Sequence, residues 1–465
     1  MNLLLLAIAF RAWSGSALSA FLRITAAVAA FSLEIQFATW LHAGSLRSVR
    51  LVNLVAAAIG VLWHVYRRRS AFRQADRDSA EPGERQGPAG PVRGSLLPPL
   101  VAVAALALLL AILASVRPVM GVDPYHLQRV DQITRVGTLA YDPAALDIKV
   151  NALAGVYELV LADLRIPGMA TALVRLHGLF GFGFYLLAIA VVAPWAGIRR
   201  RWLLLALLVV PVVFQQLVLV KNDLFSAMPA FVALVWVVTR GRQMARWECC
   251  AAAALAGFTV GIKISSAPIA LVVGGFVVAD HRDDWKTAVM SAAAGVAGAI
   301  AGGLLFTLIE NDLVYGGALR PYLSLGNRYE HAGDAVMGVG RLALSLVDLG
   351  TLTPRLWPGR GGWGSTFGLP LVWALVVLVL HRRDPKVKRA LLAAGACLLV
   401  FGASYPDADI AHRMVIAPGL LLIVTALGCV EREENFSAPL RTALVAVIGV
   451  SALQIARSAW LYLSG

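Results

Sequence analysis

Apolar runs of about 20 residues recur from one end of this chain to the other, and nothing else in the sequence limits its fold so strongly. A helix rises about 1.5 Å per residue and the hydrocarbon core is about 30 Å thick, so a run of that length crosses a bilayer. The runs cover 17–42, 49–66, 98–116, 172–195, 202–220, 224–239, 249–263, 266–280, 287–309, 367–381, 389–403, 414–430 and 440–463. Several are short, and 249–280 reads either as two spans or as one broken hairpin. The expectation is an all-α, polytopic membrane helix bundle of about 11–13 transmembrane helices. Composition agrees: 59% of residues are hydrophobic and 15% charged, against about 45–50% and about 25% in a soluble domain.

The formal charge of +14 sits mostly in short loops between the runs. Arg67–Arg69, Arg199–Arg201, Arg240–Arg246, His281–Lys286 and Arg382–Arg389 all fall on one side of the membrane when the spans are walked in order. The positive-inside rule makes that side cytoplasmic. Arg47 and Arg50 do not fit, since they fall on the outer side. No basic face with interleaved aromatics appears, so no nucleic-acid partner is expected. Cys249, Cys250, Cys397 and Cys429 lie in or beside apolar runs without zinc-type spacing, and read as small buried residues. Met1–Phe10 is apolar but lacks a basic leader, which favours a membrane-embedded start over a cleaved signal.

Three regions follow: a two-span membrane segment at 1–66, a flexible cytoplasmic linker rich in Arg, Gly and Pro at 67–97, and a main bundle at 98–463. The bundle carries two long outer loops, 117–171 and 310–366. In the first, Leu127, Val130, Ile133 and Val136 recur at helical spacing, with Arg129, Asp131 and Arg135 off that face. Such a helix lies in the interface plane, and a second helical stretch covers about 146–164. The second loop ends in a segment rich in Gly, Pro and Trp, Trp357–Gly364, that will not be helical.

A charge at membrane depth costs a few kcal/mol and asks for a reason. Four clusters on the outer side pose that question. Gly121-Val-Asp123-Pro-Tyr125-His126 offers a carboxylate able to take a proton, or else a helix cap followed by Pro at the first helical position. Tyr125 reads as an interface anchor and His126 as a hydrogen-bonding residue. Lys221-Asn-Asp223 occupies a short turn whose two charges could pair with each other. Lys263, in Gly261-Ile-Lys-Ile-Ser-Ser266, either snorkels to water or meets an anionic phosphate. The segment Tyr405–Arg413 ends in His412-Arg413, where a guanidinium can bind phosphate or anchor a span.

The order Asp123-Pro-Tyr-His-Leu, Lys221-Asn-Asp-Leu, Gly261-Ile-Lys263 and His412-Arg413-Met-Val-Ile-Ala-Pro418 resembles the bacterial GT-C fold glycosyltransferases. The similarity is to the group of the protein O-mannosyltransferases and the aminoarabinose lipid A transferases, over about residues 98–463. Gln128 stands where that group often has Pro, Met414 replaces its usual aromatic, and the two spans before residue 67 have no obvious counterpart. The resemblance implies an inverting transferase of the cytoplasmic (inner) membrane, with its active site facing the periplasm or exterior. Its donor is a sugar on polyprenyl phosphate, and its acceptor a lipid, glycan or protein. Asp123 is then the catalytic base, Lys263 and Arg413 meet the phosphate, and Asp223 orients the acceptor or a cation. Tyr125, His126, Lys221 and His412 complete the substrate contacts. No cofactor or metal ligand set is assigned, and a divalent cation stays open. Two other classes share these features: a surface-polysaccharide ligase or polymerase, and a transporter or flippase, although the charges cluster at the outer face rather than at midplane.

Overall fold

The computed structural model describes all residues except 15–19, 43, 79–123, 144, 146–147, 166–177, 219–221, 326–331, 348–366, 405–413, 434–437 and 465. Among the described residues every regular element is helical. Three helices come first: α1 (Asn2–Ser14), α2 (Ala20–Trp40) and α3 (Leu46–Asp78). The first outer loop holds α4 (Pro124–Val136), α5 (Ile148–Ala152) and α6 (Val156–Leu164). Then come α7 (Gly178–Ala196), α8 (Arg201–Leu208), α9 (Pro211–Val218), α10 (Asp223–Arg240), α11 (Arg246–Ile262), α12 (Ala267–Asp280) and α13 (Trp285–Ala301). The chain continues through α14 (Leu304–Tyr315), α15 (Arg320–Leu325), α16 (Ala332–Val347), α17 (Leu369–Leu380), α18 (Pro385–Ser404), α19 (Ile416–Arg432) and α20 (Ala438–Ser464).

Six of these helices are long and apolar enough to cross a membrane, or seven if the bent pair α13–α14 is one span. The chain is a multi-pass helical membrane protein. Its centre is α10, buried from Asp223 to Val238, with α7, α11 and α19 packed around it. The outer helices invert the soluble pattern. Leu51 and Leu62 on α3, Val296 on α13 and Leu453 on α20 are exposed to between 61% and 71%, as lipid-facing surface requires.

Several expected spans are interrupted. The run 202–220 divides into α8 and α9 because Pro211 has no N–H to continue the ladder. The run 249–280 is a helix–turn–helix: Lys263 is extended (φ −148°, ψ 97°) and a 3₁₀ turn, Ile264–Ser266, leads into α12. The run 287–309 bends by 58° between α13 and α14. There Gly303 takes φ +95° against Val156 and Ala154, a conformation that favours glycine.

The expected helix at 146–164 is likewise two helices, split before Val156 where Gly155 has φ +69°. In α4, Val130 and Ile133 are buried against protein, while Val136 is 47% exposed. Arg129 is not on the solvated side as the spacing suggested, because it is buried together with His126 and Gln132. The segment 310–366 carries the end of α14, α15 and α16, the last packed on α18; Trp357–Gly364 lies outside the described residues. Helix α3 continues to Asp78, so the first part of the polar stretch 67–97, expected to be flexible, is helical; 79–97 lies outside the described residues.

The N-terminal helices share the core of the bundle. Phe21 stacks on Phe184 at 4.6 Å, Leu46 N–H donates to Gly137 O at 2.8 Å, and Leu139 N–H donates to Thr39 Oγ1 at 3.2 Å. The Asp163 carboxylate caps α1, accepting from the backbone N–H of Asn2 (3.1 Å) and Leu3 (3.0 Å) and from Asn2 Nδ2 (2.9 Å). It also accepts from the Met1 ammonium at 2.7 Å.

Ion pairs tie four of the basic loops together at one end of the bundle. Arg389 makes a forked pair with Asp280 (2.7 and 2.6 Å) and donates to Val237 O at 2.7 Å. Arg246 pairs with Asp284 at 3.0 Å, and Arg200 pairs at 3.6 Å with Glu431, whose neighbour Arg432 pairs with Asp384. Asp284 is held down to about 2 by hydrogen bonds from Thr287 and Arg246. Residues 223 and 240 stand at opposite ends of α10, roughly 25 Å apart at about 1.5 Å per residue. The other end, where α4–α6 lie, is called the cap end below.

Candidate functional site

Asp223 opens α10 at the cap end and is 3% exposed. Asn222 Oδ does not cap this helix, and its carbonyl accepts from Ser226 N–H at 2.8 Å. Lys263 stands where α11 stops. Its backbone N–H closes the last turn on Thr259 O at 2.9 Å, and its extended conformation turns the side chain off the helix axis. The Nζ donates to Asp223 Oδ1. The lysine side chain is 18% exposed and the aspartate side chain 3%. The expected partner of Asp223 across its own turn, Lys221, lies outside the described residues.

Beside this pair stands a second one. His126 Nδ1, on α4, is hydrogen-bonded to Glu158 Oε1 on α6, with both side chains under 5% exposed. The Tyr125 ring lies against the His126 ring at 4.0 Å, and Lys149 Nζ sits 5.4 Å above the Tyr125 ring. Buried Tyr157 connects the two pairs. It adjoins Glu158 in sequence, packs its ring 5.3 Å from Phe225 of α10, and feels the charge of both Glu158 and Asp223. Burial, then those two carboxylates, push its phenol far up, so it stays a neutral donor at any physiological pH.

Arg129 supports this layer from behind. Its guanidinium donates to Gln132 Oε1 and to Leu139 O (3.0 Å). Burial lowers it to about 10, opposed by the charges of Glu158, Glu310 and Asp142. Gly155 makes room for it, since a Cβ there would meet Arg129 Nε at 3.1 Å.

The structure thus brings together Tyr125, His126, Asp223 and Lys263. Asp123, Lys221, His412 and Arg413 lie outside the described residues. Helix α4 begins at Pro124, and Met414, which follows Arg413, accepts from Ser265 Oγ at 3.2 Å beside the Lys263 turn. Sequence reasoning missed Glu158, Tyr157 and buried Arg129. The helical spacing of 146–164 singled out none of its acids, because Glu158 shows its role only through a partner 32 residues away. Among the described residues, no group of three or more His, Cys, Asp or Glu side chains is placed to hold a metal ion. All four cysteines are free. No family model matches this chain, and no curated protein matches it.

Proposed function

We propose that this chain is an integral membrane glycosyltransferase with a GT-C-like bundle, moving a sugar from a polyprenyl-phosphate donor to an acceptor at the outer face of the cytoplasmic membrane. One observation carries the reading. Ionisable residues from four distant segments, buried His126, Glu158 and Asp223 and partly buried Lys263, converge at the end of the bundle away from the arginine-laced loops. Positive-inside logic puts those loops in the cytoplasm, which leaves the ionisable layer where a lipid-borne phosphate has its headgroup.

In this reading Asp123 takes the proton of the acceptor hydroxyl as its oxygen attacks the anomeric carbon. The bond from that carbon to the phosphate oxygen breaks, with inversion, and polyprenyl phosphate departs with the electron pair. A phosphate is a good leaving group, so the chief demand is on charge stabilisation. Arg413 and Lys263 supply it. An ammonium has three N–H donors, and Asp223 fixes the direction of one of them, which positions the lysine. Glu158 holds the His126 ring in one orientation for a substrate hydroxyl. Tyr157 stays protonated between the pairs and adds no charge.

The test is sugar transfer by the full chain in lipid nanodiscs, supplied with polyprenyl-phosphate hexoses and pentoses and read as released polyprenyl phosphate. The expected result is release by wild type and loss in Asp123→Asn with unchanged thermal unfolding. Full release by Asp123→Asn removes that residue as the base. Movement of an intact substrate across sealed vesicles, with no glycosidic cleavage, replaces the reading with transport.

A further inference from the structure

The two arginines that break the charge pattern of the sequence lie at one site. Arg47 and Arg50 start α3, a helix with no acid in its first turn. Cations are disfavoured at a helix N-terminus, where the dipole is positive, and on the outer side of a span. Two arginines there need an anion. Neither has an acidic partner among the described residues, and Arg50 Nε is buried without a hydrogen-bond acceptor.

Both line a cleft of about 750 Å³ at the cap end, walled also by Arg135 and Arg165. The acids there do not balance them. Asp131 in the wall pairs with Arg165, which leaves four arginines against one aspartate, a net of +3 in the lining. Arg135 meets Asp142 at 2.8 Å but keeps 68% of its side chain exposed. Each guanidinium has five N–H donors, so these pairs aim the arginines without exhausting them. Helix periodicity separates this cleft from the ionisable layer described above: on α4, Asp131, Thr134 and Arg135 form one stripe and His126, Arg129, Val130 and Ile133 another.

Below the cleft, α3 runs on as a candidate span with Leu51, Val52, Leu54 and Val55 each more than half exposed. A ligand seated among the arginines therefore stands at the head of a lipid-facing apolar surface.

We infer that this cleft binds the phosphate of an anionic lipid, its headgroup held by Arg47, Arg50, Arg135 and Arg165 and its chains laid along α3. The inference does not rest on the glycosyltransferase reading. Free phosphate shares the headgroup chemistry, and the two sources are separable.

The test uses native mass spectrometry of the full chain in detergent, titrated with phosphatidylglycerol, phosphatidylcholine or inorganic phosphate. Wild type should retain phosphatidylglycerol in preference to the other two. Arg47→Gln/Arg50→Gln should weaken that binding about tenfold or more, the scale of losing one charge-assisted hydrogen bond. Arg242→Gln/Arg282→Gln at the opposite end should leave it unchanged. Arg135→Gln, an exposed position, gives a second reading if the double variant fails to fold. Wild-type affinity in both folded variants overturns the proposal. Saturable binding of inorganic phosphate with no preference for the lipid assigns the cleft to a soluble anion and overturns the lipid.

Discussion

The contact between α11 and α13 yields the sharpest test of how this bundle is held together. Two Gly-x-x-x-Gly segments, Gly257–Gly261 and Gly298–Gly302, face each other, and the backbones touch. A Cβ built on Gly257 would lie 1.9 Å from Gly295 O, and one on Gly298 would lie 2.1 Å from Ala254 O. The tolerable approach is about 3.0 Å, so Gly257→Ala requires the helices to part by 3.0 − 1.9, or 1.1 Å. The obstacle is a carbonyl, which no rotamer change removes. A radial gap of 0.5–1 Å forfeits roughly a quarter to a half of each dispersion well along the seam. Overpacking costs about 1–3 kcal/mol, while alanine's better helix propensity returns at most about 1 kcal/mol. The net expectation is a loss of about 1–2 kcal/mol for Gly257→Ala, and similarly for Gly298→Ala. Gly274 on α12 has nothing within 4 Å of its Cβ position, so Gly274→Ala should be neutral or stabilise by up to about 1 kcal/mol. Equilibrium unfolding in mixed detergent micelles measures all three. If Gly257→Ala matches or exceeds wild type, or behaves as Gly274→Ala does, the backbone-contact argument is wrong. The same seam positions Lys263, which caps the end of α11, so under the proposed function sugar transfer in Gly257→Ala should fall along with stability.

Lys263→Met removes the ammonium that donates to the buried Asp223 carboxylate and should destabilise the fold by up to about 3–5 kcal/mol, with much of that returned in Lys263→Met/Asp223→Leu; a double-mutant cycle of unfolding free energies that shows no coupling would mean the pair contributes nothing to the fold. Asp163→Ala removes the acceptor for two backbone amides of α1 and should destabilise by about 1–3 kcal/mol, with faster proteolysis near the N-terminus as the independent readout. His381 also titrates against the fold. Burial lowers it, but hydrogen bonds to Val377 O (2.8 Å) and Glu433 (2.7 Å) outweigh that and raise it above 6.5. Its contribution is therefore complete below pH 6.5 and is lost as pH climbs through the raised folded value. His381→Gln should flatten that part of the stability-against-pH curve, and an unchanged curve in the variant dismisses the coupling.

Much of the architecture was legible because it is local. Spans follow from hydropathy, and each needs only its own residues to satisfy its backbone in lipid. The shared side of the basic loops was readable for the same reason. Helix α4 was visible from the spacing of Leu127, Val130, Ile133 and Val136, but its second buried stripe was not. Arg129 looks like a solvated residue, and the partner of His126 stays unnamed, until the packing is known. The breaks at Pro211 and Gly303 were marked in the sequence by residue type, yet the second acts through its approach to Val156, which lies on a different segment.

By itself, then, the sequence determined that this chain is helical and membrane-embedded, and which loops share a side. The pairings were decided only by the tertiary structure: His126 with Glu158, Asp223 with Lys263, Asp163 with the start of α1, and Arg47 and Arg50 with Arg135 and Arg165 around one cleft. The reason is physical. Hydropathy is a property of each segment alone, whereas the worth of a buried charge depends on which opposite charge packing delivers to it, here across 32 to 161 residues of chain.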